Sequence, residues 1–215
     1  MATKVKATIR MYRLNELGDC FLLTFATPAA GRRKAARSHV LVDCGSFRNA
    51  GPSVARLKQI TTQIQADLAG DPLHVVVATH QHNDHVSGFL HCQTDFQNMQ
   101  VGQVWLSWLD DPRDDTAQGI GKEYHNLRRQ LVDVATSLQQ VAASRPLADA
   151  AAHSVEVLSD MMGFSGFPAA GGPPEVPANA VGVLKTLGKA DPEYLKPGRV
   201  LDLPGLPAGA VRVHV

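Results

Sequence analysis

The stretch that decides the fold is residues 73–90, LHVVVATHQHNDHVSGFL. Its first part, residues 73–79, is almost wholly apolar and rich in β-branched valine, which predicts a strand buried on both faces of a parallel or mixed sheet. Open α/β sheets bind their ligands at the carboxyl ends of such strands. Directly after this strand come four candidate metal ligands within six residues: His80, His82, Asp84 and His85. The stretch therefore predicts a metal-binding loop at the end of a central strand.

The spacing of these ligands is not that of one helix face. His80 and His82 are two residues apart, so they share a face on an extended segment but point to nearly opposite sides of a helix. Asp84 and His85 are adjacent, so the chain has to turn for both to face one point. Imidazole and carboxylate donors together favour Zn²⁺, with Mn²⁺ or Fe²⁺ as other first-row candidates, over Mg²⁺ or Ca²⁺. The alternative interpretation is a polar surface turn that happens to contain three histidines.

Composition sets the limits of the interpretation. The chain has 215 residues, of which 44% are hydrophobic, so it can bury the core of one domain, with or without an insertion. A net charge of +1 gives no overall field that favours nucleic acid or a membrane surface. Three cysteines without a CxxC pair favour a reducing compartment. There is no signal-peptide core and no apolar run near the ~20 residues of a membrane span, so we expect a soluble, cytoplasmic protein.

Apolar patterns on either side of the motif predict the neighbouring elements. Alternation over residues 5–11 predicts a half-buried strand. Two further strands, over 20–25 and 38–43, place Cys20 and Cys44 in the core as inert residues. An apolar stripe at spacings of three and four predicts a helix from 52 to 68. After the motif, we expect a short helix from Val86 to Cys92 and another strand over 101–108.

Asp43 ends the third of these strands and is followed by Cys44 and Gly45. Its carboxylate can accept a hydrogen bond from a metal-binding histidine, which usually needs such a partner to fix its tautomer. Alternatively, Asp43 begins a turn and binds only its own backbone. The residues by themselves favour neither interpretation.

Beyond residue 112 the pattern becomes helical. Apolar residues at alternating spacings of three and four predict a long helix over 124–141 and a second over 147–162, which either pack on each other or form a homodimer interface. The Gly/Pro-rich segment 163–177 is predicted to be either a mobile lid over the substrate or a disordered connection. Alternating valines then predict a strand over 211–215.

The string from Thr79 to His85, with Gly88 following, resembles the H-x-H-x-D-H signature of metallo-β-lactamase-fold hydrolases. The motifs Gly18-Asp19-Cys20 before one strand and Asp43-Cys44-Gly45 after another make the chain most similar to the corresponding domain of bacterial competence (DNA-uptake) proteins. The resemblance covers residues 5 to about 110.

The resemblance implies an α/β fold of the metallo-β-lactamase-like αββα sandwich type. Residues 1–112 would be the first half of that domain, residues 113–190 a helical insertion or lid, and residues 191–215 the start of the second β half. The strand at 211–215 is still alternating where the sequence stops, so we expect a missing C-terminal half or a partner chain to pack against it.

The resemblance also implies a dinuclear zinc hydrolase. His80 and His82 would hold the first metal, Asp84 and His85 the second, and Asp84 would also orient the activated water. The family takes its remaining ligands from its second half, so we expect the missing half or partner chain to supply them. The competence-type resemblance favours a phosphodiester or nucleic-acid substrate over an ester, lactone or β-lactam.

Two other hypotheses stay open from the sequence. One is a non-catalytic binding or regulatory module that keeps only the first half of the fold. The other is a single-metal protein in which His125, His153 or His214 completes the site. Metal content separates the three, because they predict two metals per chain, none, or one.

Overall fold

The computed structural model describes residues 4–29, 34–48, 51–144, 157 and 176–215. The strands of this part of the chain are β1 (Lys6–Met11), β2 (Cys20–Thr27), β3 (Ala36–Cys44), β4 (Val75–Val77), β5 (Gln103–Ser107), β6 (Glu193–Leu195), β7 (Val200–Asp202) and β8 (Arg212–His214). The helices are α1 (Pro52–Leu68), α2 (Asn83–His91), α3 (Gln93–Asn98), α4 (Asp115–Ser144) and α5 (Val176–Leu187), and a 3₁₀ turn covers Trp108–Asp110.

In the described ranges, six strands form one mixed sheet in the order β1-β2-β3-β4-β5-β6. The first three are antiparallel neighbours, whereas β3, β4, β5 and β6 run parallel. Parallel neighbours need crossover connections, which here contain α1, then α2 and α3, then α4 and α5. The predicted α/β fold class is confirmed. The carboxyl ends of β3, β4 and β5 consequently meet at one edge of the sheet.

One face of the sheet is packed by helices. Leu57, Ile60 and Ile64 of α1 are fully buried there, and the rings of Phe89 and Phe96 lie 4.8 Å apart between their centroids. Complete burial of each such side chain contributes about 1.5–3 kcal/mol. Helix α5 joins the same core through two fully buried residues, Ala180 and Leu184. The opposite face has a smaller core, Val40, Val75, Trp105 and Leu203.

The small hairpin of β7 and β8 covers that second core. The two strands pair antiparallel, with Leu201 opposite Val213, and both side chains pack against the second core. The strand predicted over 211–215 is therefore present and has a partner in β7. The boundaries proposed for the insertion and the second half stay predictions, although α5 and β6 pack with the main sheet and its core.

Two helices begin earlier than the sequence pattern predicts. Helix α2 starts at Asn83 rather than Val86, so Asp84 and His85 lie in its first turn, where an acidic side chain suits the helix dipole. Helix α4 starts at Asp115, because the Asp114 carboxylate accepts a hydrogen bond from the Ala117 N–H at 2.9 Å and caps the first turn. The predicted helix over 147–162 and the segment 163–177 lie almost wholly outside the described residues.

Within the described ranges, none of the helices combines the length and apolar character that crossing a membrane requires.

Candidate metal centre

Three loops meet at the carboxyl edge of the sheet and are joined by backbone hydrogen bonds. The Asp19 N–H donates to the Asp84 carbonyl at 2.9 Å, and the Gly45 N–H donates to the Asp19 carbonyl at 3.2 Å. A Cβ atom at position 45 would lie 2.4 Å from the Asn83 carbonyl oxygen and from the His85 nitrogen, so this approach requires glycine. The end of β3 is thereby pressed directly onto the start of α2.

A second glycine extends the contact along α2. A Cβ atom on Gly88 would lie 2.6 Å from the Cys44 carbonyl oxygen and 2.7 Å from its sulfur. The backbones of β3 and α2 thus touch at two successive points. This close packing brings the Asp43 side chain within reach of His85 in the first turn of α2.

Asp43 is buried, with 3% of its surface exposed, and its carboxylate accepts three hydrogen bonds. One oxygen accepts from the Thr79 N–H at 2.8 Å, and the other accepts from the Thr79 hydroxyl at 2.7 Å and from His85 Nδ1 at 2.9 Å. The backbone of Asp43 is left-handed, with φ 56°, which costs a non-glycine residue about 1–3 kcal/mol. The three hydrogen bonds offset this cost and fix the carboxylate beneath the histidine motif.

These contacts set the tautomers of two histidines. A carboxylate oxygen faces each nitrogen of His85, and the shorter contact, 2.9 Å, joins Nδ1 to Asp43, whereas Nε2 lies 3.3 Å from Asp84. The shorter contact favours the tautomer in which Nδ1 carries the proton and Nε2 keeps its lone pair. The Thr79 hydroxyl gives its proton to Asp43, so it accepts from His80 Nδ1 at 3.0 Å. His80 Nε2 therefore also keeps its lone pair. Both imidazoles present a nitrogen that is free to bind a metal.

The four predicted ligands lie together in two pairs at the end of β4. His80 Nε2 is 3.1 Å from His82 Nδ1, and His85 Nε2 is 3.3 Å from Asp84 Oδ2. Two donor atoms bound to one tetrahedral zinc lie about 3.3 Å apart, so each pair fits one ion. The rings of His80 and His85 are 3.9 Å apart between centroids, which brings the two pairs next to each other.

Asp84 has one oxygen without a partner. Its side chain is almost fully buried, and Oδ1 meets no hydrogen-bond donor among the residues that the structure describes. A buried acceptor left without a donor is costly, by about 1–3 kcal/mol and more for a charged group. A bound cation, or water held by one, would satisfy this oxygen. The donor set therefore fits a metal.

The protonation state of the imidazoles also favours metal binding. Burial lowers the pKa of His80, and the neighbouring His85 and His82 lower it further. Burial also lowers the pKa of His82. Metal binding requires the neutral imidazole, so the fold keeps both residues in the form that binds.

The sequence patterns assigned no role to Asp19, although it stands in one of the quoted motifs. Its Oδ2 lies 3.7 Å from His85 Nδ1, and ligand atoms of Asp19, Asp43 and His85 all lie within 4.8 Å of one another. Both oxygens of Asp43 already accept hydrogen bonds, so a metal at this trio would have to displace them. We therefore interpret Asp43 as the residue that orients His85, and Asp19 as a second carboxylate on the same side of that ring.

The remaining histidine candidates are placed differently. His125 lies on α4 and lines a cavity that also contains His80 and His82. His214 is exposed on β8, in the separate hairpin. His153 lies outside the described residues. The group of three potential ligands found in the described part of the chain is Asp19, Asp43 and His85. It includes neither His125 nor His214, and it does not include His80 or His82.

Residues 34–102 match the family model of the Metallo-beta-lactamase superfamily. The match spans β3, α1, β4, α2 and α3, and so contains Asp43 and the whole histidine motif. The resemblance to this superfamily, predicted from the motif, is confirmed over residues 34–102. A search of the curated proteins found no match to the chain. The narrower resemblance to competence-type domains is not confirmed. Similarity to this superfamily indicates a metal-dependent hydrolase.

Proposed function

We propose that the protein is a hydrolase with a dinuclear zinc centre, in which His80 and His82 hold one ion and Asp84 and His85 hold the other. The observation that carries this proposal is the pairing of the donor atoms, 3.1 and 3.3 Å apart, beside the buried and unpartnered Asp84 Oδ1. Mn²⁺ or Fe²⁺ would suit the same mixed nitrogen and oxygen donors.

Bound zinc would supply a water of lowered pKa and would stabilise the negative charge that develops on the substrate. The protein's own residues would do the rest. Asp43 and Thr79 hold His80 and His85 with their Nε2 atoms directed away from the core. Asp84 Oδ1 is free to accept a hydrogen bond from the attacking water and so to orient it. The water oxygen bonds to the substrate centre, the bond to the leaving group breaks, and the proton that the water gives up passes to the leaving group.

The proposed substrate is a phosphodiester, with nucleic acid included, ahead of an ester, a lactone or a β-lactam. This order is supported by the resemblance of the motifs around Asp19 and Asp43 to competence-type domains. The class of reaction is supported separately, by the metal centre and by the superfamily.

The first pair of ligands also supports a proposal about partners. His80 and His82 provide two nitrogen donors, whereas a catalytic zinc usually has three protein ligands. We propose that the remaining ligands come from polypeptide beyond the described residues, either of this chain or of a partner chain. Native mass spectrometry combined with zinc analysis tests this, because the proposal expects two zinc ions only in species that include the additional polypeptide.

The test of the function compares two single-histidine variants, His82→Ala and His214→Ala. We expect His82→Ala to lose at least one zinc ion per chain by elemental analysis and to lose hydrolysis of bis(4-nitrophenyl) phosphate by more than about 100-fold. His214→Ala removes an exposed imidazole outside the centre, so it should keep both properties. Activity of the His82→Ala protein within a few-fold of wild type would exclude the assignment.

His125 decides between the dinuclear proposal and the single-metal alternative. Because His125 only lines the neighbouring cavity, His125→Ala should leave the zinc content unchanged. A protein that binds one zinc and loses it in His125→Ala would instead be the single-metal protein. A protein that binds no metal and hydrolyses nothing would be the non-catalytic module.

A further inference from the structure

A cavity of about 480 Å³ opens beside the metal centre, and we call it the α4 cavity. His80 and His82 form one wall, together with Gln81 between them. The other walls come from the segment after β5, from α4 and from the start of α5. These walls include Leu109, Asp110, Ile120, Tyr124 and His125.

The α4 cavity has an apolar wall that is open to solvent. Leu109 and Ile120 are each 45% exposed, and Tyr124 is 49% exposed. Ile120 and Tyr124 are four residues apart, so they occupy one face of α4. Large apolar side chains left open beside a polar centre are typical of pockets that bind the apolar part of a ligand.

The charges of the α4 cavity are unusual for a phosphate-binding surface. None of the described residues that line it is a lysine or an arginine. The one carboxylate among these described lining residues is Asp110. It accepts a hydrogen bond from the Gln81 side chain, and burial raises the pKa of Asp110. Proteins bind nucleic-acid strands chiefly through lysine and arginine contacts to phosphates. A cation-free wall with a carboxylate is unsuited to a polyanion.

We propose that the α4 cavity binds an uncharged apolar substituent of a small substrate, such as an aryl group next to the hydrolysed bond, and that Ile120 and Tyr124 select for it. The inference rests on the proposed function, because His80 and His82 form the wall against which the reacting centre would lie. It narrows that function, since it favours small aryl or alkyl phosphodiesters over nucleic-acid strands. The α4 residues thereby become the determinants of specificity.

The contact between Gln81 and Asp110 fixes the position of the cavity relative to the metal centre. Gln81 lies between the two histidines of the first pair, and its side-chain amide donates to Asp110. The segment that leads from β5 to α4 is thus hydrogen bonded to the loop that carries His80 and His82. A substituent held against α4 would have a defined position relative to His80 and His82.

The test uses two substrates that share a leaving group, phenyl 4-nitrophenyl phosphate and methyl 4-nitrophenyl phosphate. Because the phenyl group would bury its surface against Ile120 and Tyr124, we expect its kcat/KM to be about 10-fold higher or more. Ile120→Ser should reduce this preference by several-fold without changing the zinc content. Leu127→Ser is the matched control, because Leu127 is an exposed apolar residue of α4 that does not line the cavity. It should keep the preference.

A binding measurement separates this inference from the proposed function. Phenol, an uncharged aryl probe, is titrated by ligand-observed NMR into the protein with and without zinc, and into both serine variants. Binding that is weakened in Ile120→Ser and kept in Leu127→Ser supports the apolar pocket, even where no hydrolysis is detected and the proposed function fails. Any of three results would overturn the inference. The two phosphates could have equal kcat/KM, a single-stranded DNA oligonucleotide could be cleaved faster than either phosphate, or phenol could bind Ile120→Ser as tightly as it binds the wild-type protein.

Discussion

Asp43 is the residue that joins the core to the candidate metal centre. A carboxylate with two oxygens can accept from the Thr79 backbone, the Thr79 hydroxyl and His85 at once, and a neutral amide cannot. Its left-handed backbone is tolerated by aspartate better than by most residues. The charge of this side chain, and not merely its shape, therefore decides which nitrogen of His85 is left for a metal.

Asp43→Asn tests this at the scale of one residue. The amide NH₂ that faces His85 Nδ1 would favour the tautomer protonated at Nε2, which cannot bind a metal through that atom. We expect zinc affinity to fall by about 10- to 100-fold. Zinc titration measures the loss, and ¹⁵N chemical shifts of His85 report the change of tautomer. Unchanged affinity together with an unchanged tautomer would show that Asp43 has no part in orienting the ligand.

The role of the three cysteines follows from their burial. Cys20, Cys44 and Cys92 are free and buried, in agreement with the core role predicted for the first two. The contact with Cys20 and burial both raise the pKa of the Cys44 thiol. A thiol that stays protonated and enclosed is a poor nucleophile, so these residues serve packing.

At the scale of elements, the decisive contact is that between the end of β3 and the start of α2. Gly45 and Gly88 allow the two backbones to touch, and the Asp19 segment is hydrogen bonded to both. The site is thus carried by regular elements and short loops that are held on several sides. Such support is what keeps ligands in position for a metal.

Gly45→Ala should disturb this contact. The new methyl group would meet the backbone of Asn83 and His85 at 2.4 Å, and the start of α2 would have to move. We expect the free energy of unfolding to fall by about 1–3 kcal/mol and zinc affinity to fall with it. Urea unfolding and zinc titration measure the two effects.

Gly182→Ala provides the control for that substitution. Gly182 lies in α5, and a Cβ atom there would meet nothing within 4 Å. Because alanine favours a helix over glycine by about 1 kcal/mol, this variant should be as stable as wild type or slightly more so. If both variants behave alike, the contact between β3 and α2 is not what Gly45 provides.

At the scale of the whole molecule, burial of histidine makes stability depend on pH. Burial is the main cause that lowers the pKa of His74 and of His91, both of which lie apart from the metal centre. Below pH 6.5, the ordinary pKa of histidine, the unfolded chain binds protons at these residues that the folded chain does not bind. The free energy of unfolding therefore decreases as the pH falls. Carboxylates with lowered pKa values affect stability only at lower pH, where carboxylates begin to take up protons.

We therefore expect the urea midpoint of the metal-free protein to fall between about pH 7.5 and pH 5.5. His74→Asn should flatten this dependence. The asparagine oxygen can still accept the hydrogen bond that the His39 N–H donates to His74 Nδ1 at 3.2 Å, but it does not titrate. Urea unfolding at a series of pH values measures both slopes. If the urea midpoint of the variant depends on pH as steeply as that of the wild-type protein, His74 does not contribute to the pH dependence.

The local patterns of the sequence determined the α/β class, the buried strand before the motif, the apolar stripes of α1 and α4 and the grouping of His80, His82, Asp84 and His85. These features depend on residues that are near one another in the chain, so periodicity and spacing are enough to predict them. The resemblance to the superfamily followed from the same short motif. The start of α2 was missed by three residues, because the residues of the motif themselves form its first turn.

Only the tertiary structure decided how the site is supported and what faces it. Asp43 and Thr79 are 36 residues apart, and their contact depends on the parallel pairing of β3 with β4, which places Val42 opposite Val77. From the sequence, Asp43 was equally compatible with a turn that binds only itself. The α4 cavity combines residues 80–82, the end of β5 and the starts of α4 and α5. No periodicity encodes such a combination, because it arises from the packing of elements that are distant in the chain.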